Sequence, residues 1–212
     1  MVLDAKRDKV NFIMDPIANV FKGVHPDIIS FTALGLAALA GVGIYFSYDH
    51  WQLLLPLSAF LVIISGLFDG LDGKVARLAG KANKRGDFLD HVLDRYADVL
   101  MIGAVAVSAW CSPYLGMMAI IGVLLTSYMG TQAQAVGVKR MYGGLLGRAD
   151  RIVLSFVIPL VQFVMMLLGY REIGIMGFEV NAFEVMMLWF AVVGNLTAVQ
   201  RAAITWKGLK GA

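Results

Sequence analysis

The sequence is poor in cysteine and in charge. Its 212 residues include one cysteine, Cys111, which excludes an intramolecular disulfide and is expected to pack as a small apolar side chain. Charged residues make up 16% of the chain, below the ~25% typical of soluble domains. The polar start, MVLDAKRDKVNF, lacks an apolar core segment, so we expect no cleaved signal peptide. Internal repeats and low-complexity linkers are also lacking, which favours one domain over 1–212.

Hydrophobic residues are correspondingly abundant, at 59% of the sequence, and the mean hydropathy is +0.74. Six apolar segments are long enough to cross a bilayer, at 28–48, 51–76, 89–110, 114–136, 152–169 and 183–204. We therefore predict an all-α integral membrane protein with six transmembrane helices, formed by residues 25–212.

The segment before the first predicted span is amphipathic. Between residues 8 and 22, apolar side chains recur at helical spacing, with Pro16 expected to kink or interrupt the helix. Residues 1–24 thus predict an interfacial helix on the membrane surface, and a disordered tail is the alternative.

Charge distribution predicts the orientation in the membrane. Of the 18 lysines and arginines, 17 fall on one side of the predicted spans, and only Arg171 falls on the other. By the positive-inside rule, both termini and the segment 69–94 are cytoplasmic in a cell membrane. Because topology accounts for the net charge of +3, we predict no nucleic-acid binding.

Four carboxylates interrupt this apolar sequence at regular spacings. A carboxylate within a bilayer costs about 2.5–3.5 kcal/mol on insertion scales, so a cation should hold them. Asp69 and Asp72 are three residues apart, and Asp90 and Asp94 are four apart, so each pair shares a helix face. A turn at 80–86, containing Gly80, Asn83 and Gly86, lets the two faces meet.

Such a set of oxygen donors suits Mg²⁺ or Mn²⁺, and two ions would clamp a diphosphate. Zinc is disfavoured, because the stretch has no cysteine and its one histidine, His91, is expected to be a polar neighbour rather than a ligand. The alternative is that these acids end helices and pair with the basic residues of the turn, Lys81, Lys84 and Arg85.

The stretch resembles the signature of the CDP-alcohol phosphatidyltransferase family, D-x2-D-G-x2-A-R-x8-G-x3-D-x3-D. Every fixed position matches: Asp69, Asp72, Gly73, Ala76, Arg77, Gly86, Asp90 and Asp94. The resemblance implies that a CDP-linked lipid, CDP-diacylglycerol or CDP-archaeol, loses CMP while its phosphatidyl or archaetidyl group passes to an acceptor hydroxyl. It also implies a homodimer.

The resemblance also implies roles for individual residues. Asp69, Asp72 and Asp90 would be the principal metal ligands. Asp94 would be the general base, or alternatively only a fourth ligand. Arg77 would contact the donor's diphosphate, and the missing side chains of Gly73 and Gly86 would leave room for the cytidine. Two further positions are implied near the donor, Gly70 and Lys74.

Basic residues downstream suggest the acceptor. Lys139, Arg148, Arg151 and Arg201 suit an acceptor that carries its own phosphate, although interfacial snorkelling is the alternative. Their surroundings resemble the prokaryotic branch that makes phosphatidylinositol phosphate or its archaeal ether-lipid equivalent, which implies inositol 1-phosphate as acceptor. Bacterial members tend to carry Lys and Arg where this chain has Gly130 and Gln132, so glycerol 3-phosphate remains the alternative.

Two other classes of protein are compatible with intramembrane acids. An ion transporter would place acids across the bilayer, whereas here they are confined to one membrane face. A scaffold without activity is disfavoured because no residue of the signature is missing.

Overall fold

The computed structural model describes residues 7–138, 141, 143–175 and 177–209, with side chains from Met14 onward. Helices dominate this part of the chain, as predicted. In chain order the elements are α1 (Arg7–Val20), a 3₁₀ turn (Phe21–Gly23), α2 (Pro26–Phe46), α3 (Trp51–Leu78), α4 (Lys84–Val107), α5 (Pro113–Ala135), α6 (Arg148–Leu167), β1 (Ile173–Ile175), β2 (Phe178–Val180), α7 (Ala182–Trp189), a π-helical turn (Phe190–Gly194) and α8 (Asn195–Leu209). The antiparallel hairpin β1–β2 was not predicted.

Among the described residues, five helices are long and apolar enough to cross a membrane. They are α2, α3, α5, α6 and the continuous helix Ala182–Leu209. The remaining long helix, α4, has 24 residues, but its first half carries several aspartates. An all-α membrane protein is therefore confirmed, whereas the count of six spans stays a prediction.

Capping residues explain where these helices begin. Pro26 and Pro113 occupy first turns, where a missing N–H costs nothing. Asn181 accepts a hydrogen bond from Glu184 N at 3.0 Å, and the Glu184 carboxylate accepts one from Asn181 N at 3.2 Å, forming a capping box. Because these signals lie outside the apolar runs, the helices differ from the predicted spans by a few residues at each end.

Helix α2 packs against α3 and α4, α3 also packs against α6, and α5 joins α4 to the C-terminal helices α7 and α8. The largest apolar cluster surrounds Trp110, whose indole Nε1 donates to Ser47 Oγ at 2.8 Å. Phe183, Met187 and Phe190 complete its buried centre. Many other large apolar side chains on these helices are exposed, as expected for lipid-facing surfaces.

Helix α1 is docked rather than disordered. Met14 and Ala18 are buried in a cluster with apolar side chains of α2 and α3, and Phe21 meets Phe68 edge-on at 5.7 Å between ring centroids. Pro16 was predicted to kink or interrupt the helix. The interruption is wrong, because α1 continues through this exposed residue. The disordered-tail alternative is therefore wrong for the part from Arg7 to Val20.

A close contact between helices lies where α5 crosses the π-helical turn. A Cβ at Gly122 would lie 2.6 Å from the carbonyl oxygen of Phe190 and 2.8 Å from Asn195 Nδ2. On the facing helix, a Cβ at Gly194 would lie 2.9 Å from the carbonyl carbon of Gly122. Only glycine allows the two backbones to approach this closely.

We expect Gly122→Ala to destabilise the protein by about 1–3 kcal/mol, because the new methyl group collides with backbone rather than with a movable side chain. Gly35→Ala is the control. It adds the same group to an exposed position of α2 with nothing within 4 Å. Thermal unfolding in detergent should show a lower midpoint for Gly122→Ala alone, and equal midpoints would contradict the close crossing.

Cys111, in the loop before α5, is a buried free thiol. Burial raises its pKa to about 11, with the nearby Glu184 carboxylate adding to the effect. At pH 8 we therefore expect iodoacetamide to alkylate the folded protein at least tenfold more slowly than the denatured protein, since the thiolate is the nucleophile. Mass spectrometry of the quenched reaction measures both rates, and equal rates would contradict the burial of this thiol.

Candidate active site

The two helices that carry the acids are joined by a tight turn. Helix α3 ends in a Schellman motif, in which Lys81 N donates to Ala76 O at 2.8 Å and Gly80 N donates to Arg77 O at 3.2 Å. Gly80 adopts φ +65°, which glycine tolerates best. Asn83 then caps α4 by accepting from Gly86 N at 3.0 Å. The predicted turn at 80–86 is therefore shorter, since Gly86 already lies in α4.

All four aspartates of the signature line a common depression between α2, α3, α4 and α6. Asp72 and Asp94 are buried, and Asp69 and Asp90 are partly exposed. Asp72 accepts hydrogen bonds from Ser30 Oγ of α2 and from the neighbouring Gly73 N. Ser30 thus fixes the carboxylate of Asp72 from a third helix.

Arg148, at the first position of α6, bridges the two helices that carry the acids. Its Nη2 lies 2.6 Å from Asp69 Oδ1 and also contacts Asp94 Oδ1. One guanidinium thereby brings an acid of α3 and an acid of α4 together. Since both ion pairs use Nη2, and a guanidinium also carries N–H donors on Nη1 and Nε, this side chain has further bonding capacity.

The ion pairs continue away from the cleft. Arg95 Nη2 lies 3.4 Å from Asp94 Oδ2, and Arg95 Nε lies 3.5 Å from Asp98 Oδ2. Asp98 Oδ2 in turn lies 2.5 Å from Arg151 Nη1. Charges alternate along this chain in the order Asp69, Arg148, Asp94, Arg95, Asp98 and Arg151. We call it the charge chain.

An open cleft of about 530 Å³ adjoins the acids. Four of the five predicted donor positions line it: Gly70, Gly73, Arg77 and Gly86. A Cβ at Gly73 would lie 3.6 Å from Arg77 Nη1, so glycine keeps this part of the cleft open. The fifth position, Lys74, is not among the lining residues, and its Nζ lies 2.5 Å from Asp15 Oδ1 of α1.

The predicted acceptor residues occupy three different environments. Arg148 lines the cleft, whereas Arg151 is buried in its pair with Asp98. Arg201 is also buried, with Nε 2.8 Å from Gly143 O and Nη1 2.6 Å from Thr126 O. Lys139 lies outside the described residues. An acceptor role for these four side chains stays a prediction.

Gly130 has a structural role beside Arg201. A Cβ at this position would lie 2.9 Å from Met141 O and 3.2 Å from Arg201 Nη1. The chain between α5 and α6 therefore passes too close to α5 for a larger residue. This explains on steric grounds why the chain has glycine where bacterial members tend to carry a basic residue.

The donor set fits a hard divalent cation. Carboxylate oxygens of Asp69, Asp72, Asp90 and Asp94 face one depression, and such oxygens are the ligands of Mg²⁺ and Mn²⁺. Within the charge chain, three arginines balance three aspartates, so Asp72 and Asp90 carry the charge that a cation would neutralise. Ligand atoms of Asp90, His91 and Asp94 also lie within 4.8 Å of one another. His91 Nδ1 lies 3.3 Å from Asp90 Oδ2, and its role as a polar neighbour rather than a ligand stays a prediction.

A profile of CDP-alcohol phosphatidyltransferases matches residues 23–197, which include the cleft and the acids. The chain belongs to the CDP-alcohol phosphatidyltransferase family. It is 27% identical over 211 residues to archaetidylinositol phosphate synthase of Methanothermobacter thermautotrophicus, covering 99% of this chain and 96% of the relative. It is 26% identical over 200 residues to phosphatidylinositol phosphate synthase of Cutibacterium acnes, covering 89% of this chain and 90% of the relative.

Solved structures share the fold of this transferase. Phosphatidylinositol phosphate synthase of Mycobacterium tuberculosis with CDP-DAG bound has a TM-score of 0.69 at 24% identity, covering 92% of this chain and 94% of that one. The same enzyme in complex with manganese and citrate also gives 0.69, at 23% identity, with coverages of 91% and 88%. The resemblance seen in the signature is thus confirmed by family and by fold.

Sequence reasoning missed three residues of this transferase's site. Ser30 gave only a weak signal, as the last residue of a His-Pro-Asp-Ile-Ile-Ser segment at the entry to the first predicted span. Asp98 lies within reach of Arg95 on α4, but its closer partner is Arg151 of α6. Asp15 gave no signal, because its contact with Lys74 exists only once α1 is docked.

Proposed function

We propose that the protein transfers the phosphatidyl or archaetidyl group of a CDP-linked lipid to the hydroxyl of inositol 1-phosphate and releases CMP. The observation that carries this proposal is the cleft itself. It brings the four carboxylates together with Arg77 and Arg148 beside a space of about 530 Å³, a size typical of small-molecule sites.

The reaction is a phosphoryl transfer. The acceptor's hydroxyl oxygen forms a bond to the phosphorus that carries the lipid, and the bond from that phosphorus to the oxygen of CMP breaks. Two Mg²⁺ or Mn²⁺ ions, held by Asp69, Asp72 and Asp90, would neutralise the diphosphate and its leaving group. Asp94 takes the proton of the acceptor hydroxyl, or serves only as a further ligand.

Other side chains bind and orient the substrates. Arg77 donates to the diphosphate of the donor, and the space beside Gly73 and Gly86 admits the cytidine. Ser30 keeps Asp72 turned toward the depression. Arg148 donates its remaining N–H groups to the acceptor phosphate while its Nη2 stays with the acids.

Inositol 1-phosphate is favoured as the acceptor by the relatives named above, whose names state inositol phosphate lipids as products. Glycerol 3-phosphate is the second candidate. The sequence leaves this acceptor open because Gly130 and Gln132 stand where bacterial members tend to carry basic residues. The close approach of Met141 O to Gly130 explains the glycine on steric grounds that are unrelated to the acceptor.

The remaining proposals concern the assembly. Residues 1–212 form a single domain, in which residues 1–24 lie at the interface and 25–212 cross the membrane six times. Both termini and the cleft face the cytoplasm, where a CDP-linked donor is available. The protein acts as a homodimer, as its family resemblance implies.

Release of CMP by the purified protein tests the function. CDP-archaeol and CDP-diacylglycerol are each combined with inositol 1-phosphate, glycerol 3-phosphate, free inositol or no acceptor, in the presence of Mg²⁺. We expect turnover with inositol 1-phosphate, loss of turnover with EDTA, and recovery with excess Mg²⁺ or Mn²⁺. Turnover with glycerol 3-phosphate alone would show that glycerol 3-phosphate, and not inositol 1-phosphate, is the acceptor. CMP release that persists in EDTA would overturn the metal-dependent chemistry.

A further inference from the structure

Asp98 lies one helical turn beyond the last acid of the signature and has two cationic partners. Its side chain is 5% exposed, and its Oδ2 contacts Arg151 Nη1 at 2.5 Å and Arg95 Nε at 3.5 Å. Arg151 is equally buried, with 4% of its side chain exposed. A buried pair with this geometry is costly to break, because removing one partner leaves an uncompensated charge.

The pair joins two helices whose relative position decides the geometry of the site. Helix α4 carries Asp90 and Asp94 and packs mainly on α2 and α5, whereas α6 packs mainly on α3 and α7. Arg151 lies three residues after Arg148, so the two side chains share a face of α6. Fixing Arg151 against Asp98 therefore also fixes the place of Arg148 relative to Asp94.

The position of Arg148 also depends on how Asp98 holds the neighbouring arginines, Arg95 and Arg151. Arg95 also reaches Asp94, at 3.4 Å. If Asp98 does not hold Arg95 and Arg151, both guanidinium groups are drawn to Asp94, where they compete with Arg148 and with any bound cation.

We propose that Asp98, through Arg151, is a positioning residue that sets Arg148 between Asp69 and Asp94 for binding of the acceptor phosphate. The inference rests on the proposed function and assigns Asp98 no contact with substrate. It also gives Arg151 a role different from the direct phosphate contact expected from the sequence.

Two variants that keep every charge test this proposal. Asp98→Glu lengthens the acid by one methylene group, and Arg151→Lys replaces a planar fork by a point charge. For both we expect the KM for inositol 1-phosphate and the Kd for Mn²⁺, measured by electron paramagnetic resonance, to rise about tenfold, as is usual for residues that orient ligands. The KM for the CDP-lipid should change less than about twofold, since Arg77 and Gly73 are not displaced.

The matched control is Gln162→Met. Gln162 is also buried in α6, where it bonds Arg171 O at 2.8 Å and Ala182 N at 2.9 Å, far along the helix from Arg148. This variant should lower stability without changing either KM or the Kd for Mn²⁺. Equal changes in all three variants would show that Asp98 acts only through stability, and a wild-type Kd and KM in both charge-preserving variants would overturn the proposal.

Failure of the proposed function is distinguishable from failure of this inference. If the wild-type protein binds Mn²⁺ but turns over neither phosphorylated acceptor, the proposed function has failed. The role of Asp98 is then judged by Mn²⁺ affinity alone. In that case an unchanged affinity in Asp98→Glu and Arg151→Lys overturns it, and a weakened affinity in both supports positioning of the acids.

Discussion

Asp94→Asn is expected to lower CMP release about a thousandfold, within the range usual for loss of a general base. Asparagine keeps the shape of the side chain but loses the charge that contacts Arg148 and Arg95, and it cannot take a proton. Because Asp94 is buried and lines the depression, water is poorly placed to replace its carboxylate. Initial rates with saturating donor and acceptor measure the loss.

Mn²⁺ affinity separates the two roles that remain open for Asp94. If it is the base alone, the variant binds Mn²⁺ as the wild type does while turnover is lost. If it is a ligand, affinity falls together with turnover. Asp49→Asn is the control, since it makes the same chemical change at an exposed loop residue between α2 and α3. An Asp94→Asn enzyme as active as Asp49→Asn would remove Asp94 from the mechanism.

Arg148→Gln is expected to lower kcat/KM for the acceptor about a hundredfold, with a smaller effect on the donor. Two effects combine in this variant. The acceptor phosphate loses a charged donor, and Asp69 and Asp94 lose the guanidinium that holds them together. Arg148→Lys should recover only part of the loss, because an ammonium cannot bond two acids and a phosphate with a planar fork.

Arg171→Gln is the matched control for Arg148. Arg171 lies outside the cleft, over the ring of Tyr48 at 4.2 Å from its centroid, and its loss should leave the acceptor KM unchanged. If Arg148→Gln changes thermal stability but neither kinetic constant, Arg148 binds only the acids and the acceptor phosphate is held elsewhere.

The sequence predicted those parts of the site that depend on local spacing. Asp69 and Asp72, like Asp90 and Asp94, share faces because helical periodicity alone determines it. Gly80 and Asn83 predicted the turn because a helix stop and a helix cap have local signals. The acids therefore meet as the spacing indicated.

Contacts between distant segments could not be predicted in this way. Arg151 and Asp98 are 53 residues apart, and each alone looks like an ordinary interfacial charge. Their pairing depends on how α4 and α6 are placed by other helices. The same holds for Lys74, which the family resemblance placed near the donor but which α1 engages through Asp15. The hairpin β1–β2 was missed because its strands are three residues each and mostly exposed.

The π-helical turn at Phe190–Gly194 has a consequence for the angular position of everything that follows it. Such a turn contains one residue more than a regular helix needs, so it changes the register of α8 relative to an unbroken helix. Deleting one residue there would rotate everything beyond it by about 100° about the helix axis. Arg201 would then leave the carbonyl groups of Thr126 and Gly143. The extra residue of the turn and the buried position of Arg201 therefore depend on each other, and a deletion within the turn should cost the protein both of these hydrogen bonds.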